Sequence, residues 1–206
     1  MYTPKNMALT DVDVQRDFVG KFGFAMLAGE DLQVTHVPLQ WVIETDGLGV
    51  LIGHMARANP HWKSLQGQRC VAVFQGPHSY ISPAWYAAGP AVPTWNYAAV
   101  HAYGRFVLVD ETQTADILDQ LMAQYEPGWQ NRLSDSDMAY QHKLRKAIVA
   151  FRIELDEVQG KEKLGQHRSA ADQQGVVTGL AASQHPDAAP LLSYMQQRHL
   201  GLGLDD

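Results

Sequence analysis

The amino-acid sequence predicts an α+β fold in which an antiparallel strand meander is followed by a mainly helical part. Alternating apolar stretches separated by tight turns occupy the first part of the chain, and helical apolar spacing dominates after Thr114. Hydrophobic residues make up 46% of the 206 residues, which is enough for a buried core. A mainly disordered chain is therefore excluded.

The elements of the first part follow from local patterns. A helix is expected after Thr10, because Asp13 stands at the capping-box spacing and apolar residues then recur every four positions. A short helix is expected near Pro60, since proline suits the first helical turn. Strands are expected over three ranges with turns between them: 24–28, 34–44 and 50–53. The second of these turns covers residues 45–47.

The second part alternates strands and helices at longer spacing. Further strands are expected over 69–75 and 98–110, joined by a long loop rich in proline and aromatic residues. The alternating segment 148–158 predicts another strand, which could close a barrel. Helical spacing marks four more segments: 114–125, 135–147, 170–182 and 188–199.

Charge is unevenly distributed along the chain. The net charge of −6 gives no overall attraction to nucleic acid or to an anionic membrane. All 22 carboxylates lie outside residues 47–109, a stretch that carries cations, histidines and many aromatic rings. Such a stretch suits a flat anionic ligand, but consecutive buried strands would exclude acids equally well. Composition alone leaves both interpretations open.

Simple motifs point to no catalytic or metal site. Gly47-Leu48-Gly49 lacks the third glycine of a dinucleotide fingerprint and favours a turn. His54 and His61 have no neighbouring cysteine or acid, so hydrogen bonding to a ligand is favoured over zinc binding. Cys70 is single, which excludes an internal disulfide, and no neighbouring base favours a catalytic role. No apolar leader is present at the N-terminus, so we expect a cytoplasmic protein.

One basic cluster is compatible with DNA binding. His142, Lys143, Arg145 and Lys146 stand close together near the end of a predicted helix. The same helix begins with Asp135 and Asp137, and this distribution of charge is what the helix dipole alone would favour. The dipole interpretation is preferred, and a local DNA contact through Lys143, Arg145 and Lys146 is kept as an alternative.

Four long motifs, in order, resemble the PaiB family of FMN-binding negative transcriptional regulators. They are Thr35–Leu39, His54–Trp62, Phe74–Tyr86 and Val92–Tyr97. The resemblance implies a split β-barrel related to the pyridoxamine phosphate oxidases, built as a homodimer with FMN between the subunits. It further implies a split-barrel domain over residues 1–160 with inserted helices, and a helical extension over 161–206 that packs on the same domain.

The resemblance also implies which residues bind the cofactor. Thr35, His36 and Val37 would run along the isoalloxazine ring. The segment that includes His54, Met55, Arg57, Ala58 and Asn59 would form the phosphate cradle, with Arg57 making the charge-assisted contact and Trp62 behind it. Trp95, Asn96 and Tyr97 would face the pyrimidine edge or the partner's flavin. Gln166 and Arg168 are retained from a late family motif, in which Gly165 and His167 replace serine and asparagine.

Each assignment has a structural alternative. Arg57 could instead pair with a distant acid, and Trp95 could fill the core. The three histidines His36, His54 and His101 could be buried side chains with internal partners. At the level of function, an FMN-dependent oxidoreductase of the pyridoxamine phosphate oxidase or flavin reductase type is the alternative to a regulator, and haem binding is a third possibility for which no histidine stands out.

Overall fold

The computed structural model describes residues 1–45 and 47–204, so Asp46 of the predicted turn lies outside the described residues. Seven strands are present in this part of the chain: β1 (Ala8–Leu9), β2 (Phe24–Ala28), β3 (Val34–Val42), β4 (Val50–Ala56), β5 (Arg69–Ile81), β6 (Thr94–Leu108) and β7 (Ile148–Lys163). Six α-helices accompany them: α1 (Val12–Lys21), α2 (His61–Leu65), α3 (Glu111–Tyr125), α4 (Asp135–Arg145), α5 (Ala170–Ala182) and α6 (Ala188–Arg198).

Six of the described strands close an antiparallel barrel. The order β7-β4-β3-β2-β5-β6 returns to its start because β6 also pairs with β7, while β1 adds to β7 from outside this ring. The predicted meander β2–β3–β4 is confirmed by antiparallel registers such as Phe24↔Pro38 and Leu39↔Gly53. The predicted strand that could close a barrel, β7, pairs with β4 from Ala56↔Ile148 to Val50↔Glu154.

Contacts divide the chain into two compact units, a barrel unit and a terminal unit. The barrel unit comprises Arg16–Phe74 and His101–Val158. The terminal unit comprises Met1–Gln15, Gln75–Val100 and the described residues from Gln159 onwards. Strands β5, β6 and β7 contribute residues to both units. None of the helices in the described ranges has the length and apolar composition of a membrane-spanning segment.

The core of the barrel unit is apolar. The rings of Phe106 and Phe151 stack at 4.5 Å between centroids and are fully buried. On the outer face of β4, Val50 and Ile52 pack with Ile117 and Leu121 of α3. Helix α3 begins where Asp110 caps it, its carboxylate accepting a hydrogen bond from the Gln113 amide at 2.8 Å.

The terminal unit is organised around helix α5. The buried Asp172 carboxylate accepts hydrogen bonds from the amides of Ala87 and Ala88 at 2.9 and 3.3 Å. Gly179 of α5 lies directly against Trp85. A Cβ at this position would come within 2.2 Å of the indole ring, so only glycine allows this close approach. Residues 85–88 are therefore held on α5 rather than forming a free loop.

Strand bounds differ from the sequence prediction, most of all at the C-terminal ends of β5 and β7, which run five or six residues further than expected. Strand β5 continues through Pro77 to Ile81, so the loop before β6 is shorter than expected. Pro77 has no backbone N–H to donate, but this ends a strand only where a neighbouring strand needs that donor. Beyond Pro77 the side chains of β5 again alternate between buried and exposed, from Ser79 to Ile81. Strand β7 extends to Lys163, and Gly160 permits this, since a Cβ there would lie 2.6 Å from the Leu9 carbonyl oxygen.

Candidate functional site

A hydrogen-bond network in the barrel unit joins two of the predicted flavin ligands. The Asn59 side-chain amide donates to Thr35 Oγ1 at 3.0 Å, and Thr35 Oγ1 lies 2.8 Å from His61 Nδ1. The His61 backbone amide donates to Asn59 Oδ1 at 3.1 Å. Residues from β3 and from the start of α2 are thus held together by His61, which the sequence analysis did not assign to the flavin site.

His61 orients the Thr35 hydroxyl group. Its ring is 1% exposed, and burial lowers its pKa, while the nearby Asp31 carboxylate opposes this shift. His61 Nε2 lies 3.8 Å from Asp31 Oδ1. A hydrogen bond from Ser64 lowers the pKa of Asp31. With the imidazole neutral and Nε2 protonated, Nδ1 accepts the hydroxyl hydrogen of Thr35.

The neighbouring predicted residues lie on different faces of the strands. Val37 is buried, whereas His36 is exposed and its ring lies 5.9 Å from that of Phe24. Met55 is buried on β4. His54 instead lines a cavity of about 210 Å³ beside α3 and α4; burial lowers its pKa, and its Nδ1 has no hydrogen-bond partner among the described residues.

Arg57 lies at the edge of a cleft in the barrel unit. Its guanidinium donates to the carbonyl oxygens of Lys146 and Ile148 at 3.0 and 2.8 Å, rather than pairing with a distant acid. The Trp62 indole N–H donates to the Arg57 carbonyl at 3.1 Å, and Ala58 is exposed beside it. The cleft has a volume of about 400 Å³, and its charged lining consists of Arg57, Arg145, Lys146, Asp110 and Glu111.

The basic cluster on α4 is divided in the structure. Arg145 lies 3.7 Å from Asp119 of α3 and lines the same cleft as Arg57. Lys146 also lines this cleft, whereas Lys143 is exposed. Two of the three cations proposed for DNA contact are therefore also candidates for an anionic ligand in the cleft.

The remaining predicted residues belong to the terminal unit. Trp95 is 47% exposed and does not fill the core; its ring lies 6.1 Å from that of His78. Asn96 is buried, and the ring of Tyr97 lies 5.2 Å from the ammonium group of Lys161. The guanidinium of Arg168 lies over the ring of Tyr86 at 4.4 Å.

The late family motif closes the turn that follows β7. Gln166 accepts a hydrogen bond from the Leu164 amide at 2.8 Å and donates to the Glu162 carbonyl at 2.6 Å. Gly165 has a φ of +86°, a conformation that favours glycine over serine. The change from serine to Gly165 therefore suits the local backbone, and His167 is exposed.

The residues of the barrel unit fit a ligand that carries a phosphate group. A guanidinium group has five N–H donors, so Arg57 keeps donors beyond those that bind the two carbonyl oxygens. The cleft volume falls in the range of small-molecule sites, and Trp62 adds an aromatic wall to three cations. Asp110 and Glu111 also line this cleft, whereas Thr35, Asn59 and His61 do not. The three cations of the cleft are therefore the groups that suit the phosphate of FMN.

Residues 1–157 match the family described as "Putative FMN-binding domain". The chain belongs to this family. It is also 31% identical over 211 residues to the Protease synthase and sporulation protein PAI 2 of Bacillus subtilis, covering 96% of this chain and 98% of that protein. This similarity confirms the PaiB resemblance, and the family confirms FMN as the expected cofactor.

Solved structures confirm the fold. The flavocytochrome Anf3 from Azotobacter vinelandii aligns with a TM-score of 0.62 at 19% identity, over 77% of this chain and 70% of that one. An FAD and haem binding protein from Mycobacterium smegmatis aligns with a TM-score of 0.57 at 17% identity, over 77% and 74% of the two chains. The predicted split β-barrel with flanking helices is therefore correct for the FMN-binding family member described here.

Proposed function

We propose that this protein is a homodimeric, FMN-binding negative transcriptional regulator of the PaiB type, acting in the cytoplasm with the flavin at the subunit interface. The observation that carries the proposal is the similarity to PAI 2, which extends over nearly the full length of both chains. A relative that matched only the barrel would support flavin binding alone. The similarity here also includes the segment that follows residue 157, where the family match ends.

Within this proposal the barrel unit holds the cofactor. FMN, when bound, supplies one-electron and two-electron redox chemistry. Thr35, His36 and Val37 would lie along the isoalloxazine, with the Thr35 hydroxyl oriented by Asn59 and His61. Arg57 would contact the phosphate, with Met55, Ala58 and Trp62 shaping the cradle and His54 supporting it from the helical side. Trp95, Asn96 and Tyr97 would face the pyrimidine edge or the partner's flavin, and Gln166 and Arg168 would contact FMN.

An exposed apolar strip supports the dimer. Phe24, Met26 and Val34 are 66%, 38% and 49% exposed on β2 and β3. The register pairs Phe24 with Pro38 and Met26 with His36, so these side chains line one outward face of the sheet. Contiguous exposed apolar surface of this kind favours burial against a partner, and a second copy of the chain would also wall the flavin site.

The flavin assignment is tested with Arg57→Ala. A charge-assisted contact contributes about 1.5–3 kcal/mol, so FMN affinity should fall roughly tenfold to a hundredfold, while riboflavin, which has no phosphate, should bind almost unchanged. Arg57 also binds backbone carbonyls, so thermal unfolding of the variant must be recorded alongside the titration. Lys143→Gln is the control, since Lys143 does not line the cleft. Equal losses for both ligands would contradict the phosphate assignment.

Sedimentation and DNA binding test the remaining parts. One dimeric species is expected, and a monodisperse monomer at micromolar concentration would contradict the interfacial flavin.

Changing Lys143, Arg145 and Lys146 to glutamine should abolish operator binding and reduce the salt slope by nearly one unit per lost contact. If no specific DNA binding is found at low salt, while a nicotinamide cofactor rapidly reduces the flavin, the oxidoreductase alternative becomes the better description.

A further inference from the structure

Three cations of the terminal unit, Lys161, Lys163 and Arg168, form no ion pair with a carboxylate among the described residues, and the charges of Lys161 and Arg168 both act on Lys163. Lys161 and Lys163 are two residues apart on β7, so both side chains project from one face of the strand. Glu162 projects from the other face, where it accepts hydrogen bonds from Tyr194 and Arg198. The carboxylate nearest in sequence is therefore used elsewhere, and the lysine face of β7 has no compensating charge from it.

Lys161 is an unusual buried lysine. It is 7% exposed, and its ammonium group donates to the Tyr2 carbonyl at 2.9 Å. The rings of Tyr2 and Tyr97 lie 5.5 and 5.2 Å away, at cation–π distance. Among the described residues it forms no ion pair with a carboxylate. Buried charges are normally paired, so a cation held only by a carbonyl and two rings indicates an available positive potential.

Lys163 and Arg168 extend this positive region. The Lys163 ammonium donates to Thr94 Oγ1 at 2.5 Å and to the Trp95 carbonyl at 2.9 Å. Burial lowers the pKa of Lys163; Tyr97 opposes this shift, and the positive charges of Lys161 and Arg168 add to it. Arg168 rests on the Tyr86 ring, and its Nε is buried without a hydrogen-bond partner in the described part of the chain.

We infer that Lys161, Lys163 and Arg168 form a binding site for a phosphate group, separate from the Arg57 cleft of the barrel unit. Lys163 and Arg168 would donate to the anion directly, and the buried Lys161 would add charge from behind. Charge-assisted hydrogen bonds from ammonium and guanidinium groups are the usual protein contacts to phosphate. Binding would also relieve the repulsion among the three cations. The exposed Trp95 offers a stacking surface for a planar group attached to the phosphate.

The primary test is calorimetric titration of the purified protein with inorganic phosphate, both in its FMN-loaded form and after FMN has been removed, because the phosphate of bound FMN could itself occupy this site. Lys163→Gln and Arg168→Gln should each weaken phosphate binding about tenfold or more, whereas Lys163→Arg should retain it because the charge is kept. Lys21→Gln, an exposed lysine at the end of α1, is the charge-matched control and should bind like the wild type. Absence of phosphate binding to the wild type, or equal binding by all variants, would overturn the inference.

A second titration identifies the source of the phosphate. If Lys163→Gln loses affinity for FMN but not for riboflavin, the site binds the phosphate of FMN itself. If FMN affinity is unchanged while phosphate binding is lost, the site serves a second phosphorylated small molecule; either result supports the site. Arg57→Ala should leave phosphate binding here unchanged, so this inference and the assignment of Arg57 can fail independently.

Discussion

The two units bury polar side chains to very different extents. Seven polar or charged side chains are buried among the described residues: Gln15, His61, Ser79, Asn96, Lys161, Glu162 and Asp172. All except His61 belong to the terminal unit. The barrel unit is therefore stabilised mainly by apolar burial, which is non-directional, whereas the terminal unit depends on specific polar contacts. Such contacts define one arrangement of segments, but each is costly when one partner is removed.

This difference reflects how each unit is built. The barrel unit contains the hydrogen-bonded meander β2–β4, in which strand pairing satisfies the backbone and large side chains fill the interior. The terminal unit joins three segments that are distant in sequence. Its buried side chains contact backbone groups of other segments, as Asp172 does with the amides of Ala87 and Ala88. Polar side chains therefore take the place of strand pairing there.

The largest effect should come from breaking the buried ion pair of the terminal unit. Arg198→Met leaves the Glu162 carboxylate, which is 5% exposed, without the guanidinium that contacts it at 2.7 Å. The free energy of unfolding, measured in urea, should fall by about 3 kcal/mol. The double variant Glu162→Gln/Arg198→Met should recover part of this loss, because no buried charge remains. A loss below about 1 kcal/mol would contradict the contrast between the units.

A glycine comparison tests packing in the terminal unit. Gly179→Ala should destabilise the protein by about 2 kcal/mol, since the added Cβ would meet the Trp85 indole at 2.2 Å. Gly20→Ala in α1 is the matched control, because no atom lies within 4 Å of its added Cβ. Alanine favours the helix there, so the control should be neutral or stabilised by up to about 1 kcal/mol. Similar destabilisation by both variants would argue against close packing of α5 on Trp85.

The half-buried His54 and the buried His61 should make the free energy of unfolding depend on pH. Burial lowers the pKa values of His54 and His61 from the ordinary 6.5, so the folded state binds fewer protons than the unfolded state just below that pH. The contribution of these two histidines to the free energy of unfolding is therefore fully present above about pH 6.5 and decreases as the pH falls below that value. The urea concentration at the unfolding midpoint, measured between pH 5 and 8, should decrease with pH below about 6.5, and the slope of this decrease reports the two histidines. His54→Gln should make it shallower, and an unchanged slope would contradict the assignment to His54.

The smallest effect is expected for the exposed ion pairs of the barrel unit. Arg69 donates to Asp156 at 2.8 Å and to Glu157 at 3.0 Å, but the Arg69 and Asp156 side chains are 52% and 50% exposed. Solvent screening should limit the cost of Arg69→Gln to less than about 1 kcal/mol, and 1 M salt should reduce it further. Denaturation with and without salt measures both values. A loss as large as that of Arg198→Met would remove the distinction between buried and exposed pairs.

Local patterns predicted much of the fold. Helix α5 was expected over 170–182 and is observed over the same residues, because Ser169 caps its start and apolar spacing continues to its end. Helix α4 starts at the predicted Asp135 with a capping box formed by Ser134 and Asp137. Strand lengths were less accurate. Glycine and proline indicate turns in isolation, whereas β5 continues across both Gly76 and Pro77 in the folded sheet.

The candidate sites depended more strongly on long-range contacts. The motifs identified Thr35 and Asn59, yet His61, which joins them, was weighed only as a possible zinc or ligand contact. Asp31 falls between the strands expected over 24–28 and 34–44, and no ligand role was predicted for it. No role was predicted for Lys161, which lies beyond the strand expected over 148–158, because lysine side chains are normally solvated. Its burial and its distance from Tyr97 exist only once β6 and β7 are in place.

The family, the α+β class, the meander and the starts of α4, α5 and α6 could be predicted from the sequence, because these follow from motifs, alternation and capping within a few neighbouring residues. Which charges are buried, which are paired and which contact only rings and carbonyl groups depends on the tertiary structure. Those outcomes depend on contacts between residues far apart in the chain, such as Glu162 with Arg198 or Lys163 with Trp95. A side chain's electrostatic environment is a property of the folded arrangement, and no local window of sequence contains it.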